Sequence, residues 1–204
     1  MTITKIALAS TNQGKIKEFQ EIFAPLAIEV IPQQELMVGE IDEPFNTFIE
    51  NSLHKARHCA KITGLPTLAD DSGLCVNGLA GAPGVFSARY AGSPKSDQNN
   101  INKLLQEMQD VSDRSAYFYC LLTLLRSADD PQPIFADGVF AGEIAHHAQG
   151  SNGHGYDPIF YLSEYQATVA QLDAQLKNKI SHRGLAIQNL LEQLKRFNML
   201  SNVP

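Results

Sequence analysis

The sequence has no tryptophan, only three cysteines in 204 residues, and charged side chains at just 19%. Cys59, Cys75 and Cys120 are odd in number and widely spaced, with no Cys-x-x-Cys pair. That excludes a disulfide framework and a structural zinc site. The three read as small buried hydrophobes of a protein kept in a reducing compartment. No basic tract offsets the net charge of −6, which argues against a nucleic-acid coat protein. An anionic small substrate stays open, because it needs only a local cluster of cations. No apolar run is long enough to span a bilayer, and the apolar part of MTITKIALAST is too short for a signal peptide. A cytoplasmic protein, working without membrane or nucleic acid, is expected. Repeats, low-complexity tracts and flexible linkers are also missing, so residues 1–204 read as one domain.

What is present alternates between helical and strand periodicity, which predicts a mixed α/β fold. Residues 5–9 form a short apolar run that stops at a polar cluster, Ser10-Thr11-Asn12-Gln13-Gly14. A helix with Ile16, Phe19, Ile22 and Phe23 on one side follows and ends before Pro25. Residues 27–31 then predict a second strand. The next helix, 47–63, carries Ile49, Leu53, Ala56 and Ala60 as its stripe and stops at Gly64. Beyond it the pattern predicts a strand over 65–69, a turn at Asp71-Ser72-Gly73, and a return strand over 74–79. A glycine- and proline-rich loop at 80–95 leads to a helix over 97–108, with Ser96 as its cap. Strands over 116–125 and 134–144, an apolar run at 159–162 and a last helix near 182–197 complete the chain.

Four places could carry chemistry. Ser10–Lys15 (STNQGK) joins a strand to a helix start, where unpaired amides favour an anion and Lys15 adds a full charge. It lacks the spacing of a Walker A loop. Asp70 and Asp71 stand at the end of an apolar run, suited to a magnesium ion that takes one or two carboxylates plus phosphate oxygens. A plain Asp-Ser-Gly turn is the competing reading. GSNGHGYDP, residues 150–158, has three glycines that let backbone approach a ligand. There His154 and Tyr156 offer flat faces for a base, and Asp157 offers an acceptor. Finally, KNKISHRG (177–184) places cations just before the predicted last helix, where they are unfavourable unless an anion sits nearby.

Taken in order, LASTNQGKIKEF, TFIENSLHKA, LADDSGLCVNGLAGAPGVFSARYAG, GHGYDPIF and KNKISHRGLA resemble the inosine triphosphate pyrophosphatase family, which acts on noncanonical purine nucleoside triphosphates. The resemblance covers most of the chain. It implies an elongated mixed β-sheet flanked by helices, two lobes with a deep central cleft, and a homodimer. It also implies a magnesium-dependent hydrolase of nucleotide metabolism that converts ITP, dITP or XTP to monophosphate and pyrophosphate. Under it, Ser10, Thr11, Asn12, Gln13, Gly14 and Lys15 would hold the triphosphate. Asp71 would be the catalytic carboxylate and a metal ligand, and Ser72 a substrate contact. His154, Gly155, Tyr156 and Asp157 would frame the base, with His154 standing where the family commonly has phenylalanine. Lys177, His182 and Arg183 would complete the nucleotide site, Lys55 would reach a phosphate, and Glu50 would be a nearby acid. The second metal ligand would be Asp42 or Glu43, with Asp42 fitting the ungapped spacing better. Three other readings remain: a Maf-like nucleotide pyrophosphatase, a nucleotide-binding module without catalysis, and a dinucleotide-dependent oxidoreductase, for which no G-x-G-x-x-G follows the first strand.

Overall fold

The computed structural model describes residues 2–200, with Ala174 and Asn178 defined by backbone alone. Strand β1 (Lys5–Ala9) is buried along its last four residues and lies parallel to both β2 (Glu29–Pro32) and β3 (Thr67–Val76). A continuous apolar run is what a strand covered on both faces requires. Between β1 and β2, helix α1 (Gln13–Phe23) is capped by Asn12 and buries Ile16, Phe19 and Phe23. Ala27 takes a left-handed conformation (φ 54°), which closes the turn and starts β2 at Glu29, later than the pattern suggested. Helix α2 (Phe48–Thr63) is capped by Thr47 and ended by Gly64 at φ 68°. Its small residues Ala56, Cys59 and Ala60 pack with Ala7, Ala9 and Ala69 of the sheet, letting helix and strands approach closely.

Helix α3 (Asp97–Glu107) starts at the Ser96 cap as expected, and β4 (Ser115–Leu125) and β5 (Ile134–Ile144) match the predicted strands. Short strands β6 (Phe160–Leu162) and β7 (Ala167–Thr168) follow, antiparallel in turn to β5 and to each other. The seven strands form one mixed sheet in the order β2-β1-β3-β4-β5-β6-β7, with helices flanking it. Helices α4 (Ala174–Ile180) and α5 (His182–Arg196) end the described chain.

Two expectations fail. No turn interrupts 71–73: β3 runs straight through, buried at every position but Ser72. The reason is tertiary. A Cβ on Gly73 would lie 2.2 Å from the Gly84 carbonyl oxygen, so the segment 84–89 presses directly on the strand. Ser87 Oγ then accepts the Leu74 N–H at 2.9 Å, which replaces a turn's internal bond. The second failure concerns 177–184. Lys177 and Lys179 lie in the last turn of α4, where cations suit the helix dipole. Only His182 and Arg183 open α5, so the electrostatic mismatch read from the sequence is confined to those two.

The chain divides into two compact units, crossing between them at Asp71/Ser72, Cys120/Leu121, Asp137/Gly138 and Leu185/Ala186. The first unit has the alanine-rich cluster around β1, α2 and Leu125. The second packs Leu74, Ile101, Leu104, Met108, Ile159 and Phe160 into its own core. All three cysteines are buried and unbridged. Among the described residues no helix is long and apolar enough to cross a membrane.

Candidate active site

In the first unit, β1 delivers Ser10–Asn12 to the start of α1. The Asn12 side chain accepts from the Lys15 N–H at 3.1 Å, and Ser10 Oγ accepts from the Asn12 N–H at 3.3 Å. Thr11 Oγ1 donates to Glu40 at 2.5 Å, while Gln13 and Gly14 are exposed in the first turn. Lys15 reaches across to β3, where its Nζ donates to Asp70 Oδ1 at 2.6 Å.

Asp70 and Asp71 are neighbours on a strand, so their side chains leave it in alternate directions. Asp70 takes Lys15, and Asp71 takes Lys55, whose Nζ lies 3.3 Å from Asp71 Oδ1. The doublet therefore serves two lysines and does not act as a single claw. Lys55 also donates to Glu43 Oε1 at 2.5 Å. Burial and the neighbouring charges decide the ionisation here. Desolvation pushes the Asp71 carboxyl up to about 6; Lys55 opposes this, and Glu43 and Asp70 add to it. For Lys55, burial lowers the pKa, but the charges of Asp71, Asp70 and Glu43 outweigh it and the net shift is upward. Asp71 Oδ2 is buried and has no hydrogen-bond donor among the described residues. A buried carboxylate oxygen left in that state is costly unless something positive meets it.

Glu43, not Asp42, is the acid brought to this group; Asp42 points to solvent. The selector is Asn51, fully buried on α2. Its Oδ1 accepts the Phe45 N–H at 3.0 Å and its Nδ2 donates to the Phe45 carbonyl at 3.1 Å, which clips residues 43–45 against the helix one turn from Lys55. Glu50 accepts from the Thr47 hydroxyl at 2.6 Å and so belongs to the helix cap. Asn51 stands one turn before Lys55 on the same side of α2. That four-residue spacing is the signal the sequence carries for it.

The donor set fits a divalent cation of magnesium type. Among the described residues no group of three or more His, Cys, Asp or Glu side chains gathers as a full protein cage. Asp71, with its unclaimed oxygen, and Glu43 are of the kind and number of carboxylates that magnesium takes when phosphate oxygens supply the rest.

In the second unit the loop 153–157 is built from within. Gly153 has φ 81°, and a Cβ there would lie 2.1 Å from Asp157 Oδ2. That same oxygen accepts the His154 N–H at 2.8 Å and the Lys177 ammonium at 2.5 Å. Gly155 N–H donates to Asp97 Oδ2 at 2.8 Å. Tyr156 is only 4% exposed and packs in the core, its hydroxyl donating to the Ser87 carbonyl at 2.9 Å. The expected stacking face of Tyr156 and the open acceptor of Asp157 are thus committed to holding the loop. His154 alone projects its side chain to solvent. Partial desolvation and then the Lys177 charge lower its pKa, with Asp157 opposing and Arg183 adding to the fall. His182 stacks on Phe118 at 5.1 Å, and Arg183 Nη2 lies 3.5 Å from Ser72 Oγ.

Residues 6–193 match the model of the Ham1 family. A dITP/XTP pyrophosphatase of Chromobacterium violaceum is 53% identical over 191 residues, covering 94% of this chain and 97% of that protein. One of Nitrosomonas europaea is 50% identical over 202 residues, covering 99% and 100%. Among solved structures, a HAM1 protein from Coxiella burnetii superposes with a TM-score of 0.91 at 50% identity, covering 96% of this chain and all of that one. The Ham1 protein of Staphylococcus aureus gives 0.88 at 42%, covering 95% and 99%.

Proposed function

The chain belongs to the Ham1 family, and from that membership we propose that it hydrolyses noncanonical purine nucleoside triphosphates, dITP and XTP first among them, to monophosphate and pyrophosphate. The substrate class rests on relatives about 50% identical over nearly the whole chain. The observation that carries the chemistry is Asp71: buried, beside a lysine, with one oxygen unclaimed.

Hydrolysis here means that a water oxygen bonds to the α-phosphorus and the bond to the bridging oxygen breaks. Pyrophosphate leaves with that oxygen, and the water's proton must be taken up. Asp71 is suited to take it, because a carboxylate with pKa about 6 is ionised near neutral pH yet is a better base than an ordinary aspartate. Asp70 stays committed to Lys15, so the proton goes to Asp71 directly. Magnesium, held by Asp71 and Glu43, would neutralise charge on the phosphate oxygens. The amides at the start of α1, with Lys15 and Lys55, offer positive charge to the leaving phosphates. In the second unit, Lys177, His182 and Arg183 are the side chains we assign to the nucleotide, and His154 is the one exposed side chain of the loop we assign to the base.

Selection follows from hydrogen-bond polarity. Hypoxanthine and xanthine carry a keto oxygen where adenine carries an amine, and a site of donors opposes the amine. Such mismatches discriminate by roughly 10⁴-fold in good cases. We further propose a homodimer acting in the cytoplasm, which rests on the family resemblance and on three reduced, buried thiols.

The test is a panel of dITP, XTP, dGTP and dATP with magnesium, scored separately for pyrophosphate and orthophosphate. Pyrophosphate from dITP and XTP, with little from dATP, is expected. Orthophosphate as the first product overturns the cleavage position, and equal turnover of dATP overturns the selection.

A further inference from the structure

Lys55 holds the two carboxylates that a metal would need. Its ammonium lies 2.5 Å from Glu43 and 3.3 Å from Asp71, and the three side chains are 14%, 27% and 9% exposed. We propose that Lys55 is the resident cation of the Glu43–Asp71 pair, and that a divalent ion enters by exchange, releasing the ammonium for phosphate. This rests on the reading above in taking Asp71 and Glu43 as metal ligands.

The argument is one of shared acceptors. An ammonium and a divalent ion repel each other, and neither shares close carboxylate oxygens with the other cheaply. Lysine is the residue able to make this exchange. Its charge is compact and sits on a flexible four-carbon stem, whereas an arginine fork would lock both acids in one plane. Lys55 leaves α2 from within the helix, with Asn51 one turn before it fixing the Phe45 backbone two residues from Glu43, so the lysine can move while the segment carrying the acid stays. Lys15 is hydrogen-bonded to Asp70, and its charge acts on Asp71 less strongly than that of Lys55. Coupling between ligands is reciprocal. Metal that frees Lys55 therefore favours polyphosphate, and polyphosphate that draws Lys55 away opens the acids to metal.

The exchange is tested without nucleotide, by titrating Mn²⁺ into the intact protein and measuring bound ion by calorimetry and electron paramagnetic resonance. The Lys55→Met and Lys55→Gln variants should each bind Mn²⁺ about tenfold more tightly than the parent, within the usual range of coupling between sites. Lys15→Met, which removes an equal charge nearby, should change it less than about twofold. Lys55→Arg should bind no better than the parent. The proposal is overturned if neither Lys55 variant gains affinity, or if Lys15→Met gains as much, which would make the effect one of net charge. Absence of Mn²⁺ binding in every protein also overturns it. Pyrophosphate release by the parent reads the enzymatic assignment separately, so loss of one leaves the other standing.

Discussion

Replacing Asp71 with asparagine should cut turnover severely and make the metal-free protein more stable. Burial holds the folded carboxyl at about 6, against about 3.9 for an ordinary aspartate. That corresponds to about 3 kcal/mol between the charged and neutral forms. Because the folded pKa lies above the unfolded one, the cost is fully present above pH 6 and disappears as pH falls toward 4. Asparagine keeps an oxygen for Lys55 and puts its amide where Oδ2 already had no donor among the described residues, so it removes the charge without adding a new unpaired group. Denaturant unfolding in the presence of chelator should therefore show parent and variant nearly equal near pH 4. By pH 8 the variant should lead by about 2–3 kcal/mol, or about 4–12 °C in Tm for a chain of this length. Excess magnesium should narrow the gap by stabilising the parent alone. kcat should fall by about 10²–10⁴. A variant less stable than the parent at pH 8 would refute the reasoning, since the Lys55–Asp71 attraction would then outweigh burial.

Two other outcomes are expected. At limiting magnesium, kcat/KM should rise about tenfold per pH unit up to about pH 6 and then level, because Asp71 accepts a proton only when ionised. Raising magnesium should move that limb to lower pH; a flat profile between pH 5 and 7 removes Asp71 as the base. Asn51→Ala leaves the Phe45 N–H and carbonyl without their side-chain partner, at a cost of about 1–3 kcal/mol. It should also raise several-fold the magnesium concentration needed for half-maximal rate. An unchanged magnesium requirement would mean that the clip does not serve Glu43.

Much of the framework could be read from the chain because local pattern and burial agree there. β1, α3 and β5 are cases where periodicity, caps and flanking residues point the same way. β3 could not be read. Asp-Ser-Gly is good turn sequence, and only the pressure of residues 84–89 on Gly73 keeps it extended. The candidate site divides similarly. Lys15 declares itself by charge at a helix start, Asp71 by its place in a carboxylate pair beside a glycine and Lys177 by its basic cluster, whereas Lys55 enters only through the family resemblance. The choice of Glu43 over Asp42 does not declare itself, because it depends on a buried amide gripping backbone six residues away in sequence. Tyr156 and Asp157 carry a second job that the sequence does not show: the Tyr156 hydroxyl and one Asp157 oxygen hold the loop in place.

The self-held loop at 153–157, proposed above to frame the base, also limits which of its positions can change. Gly153 has no room for a side chain, Gly155 sits at φ 60°, and Tyr156 and Asp157 are walled in. Only the imidazole position can vary without dismantling its neighbours. Anyone seeking altered nucleobase preference by random mutagenesis of this segment should recover almost every viable change at that single codon.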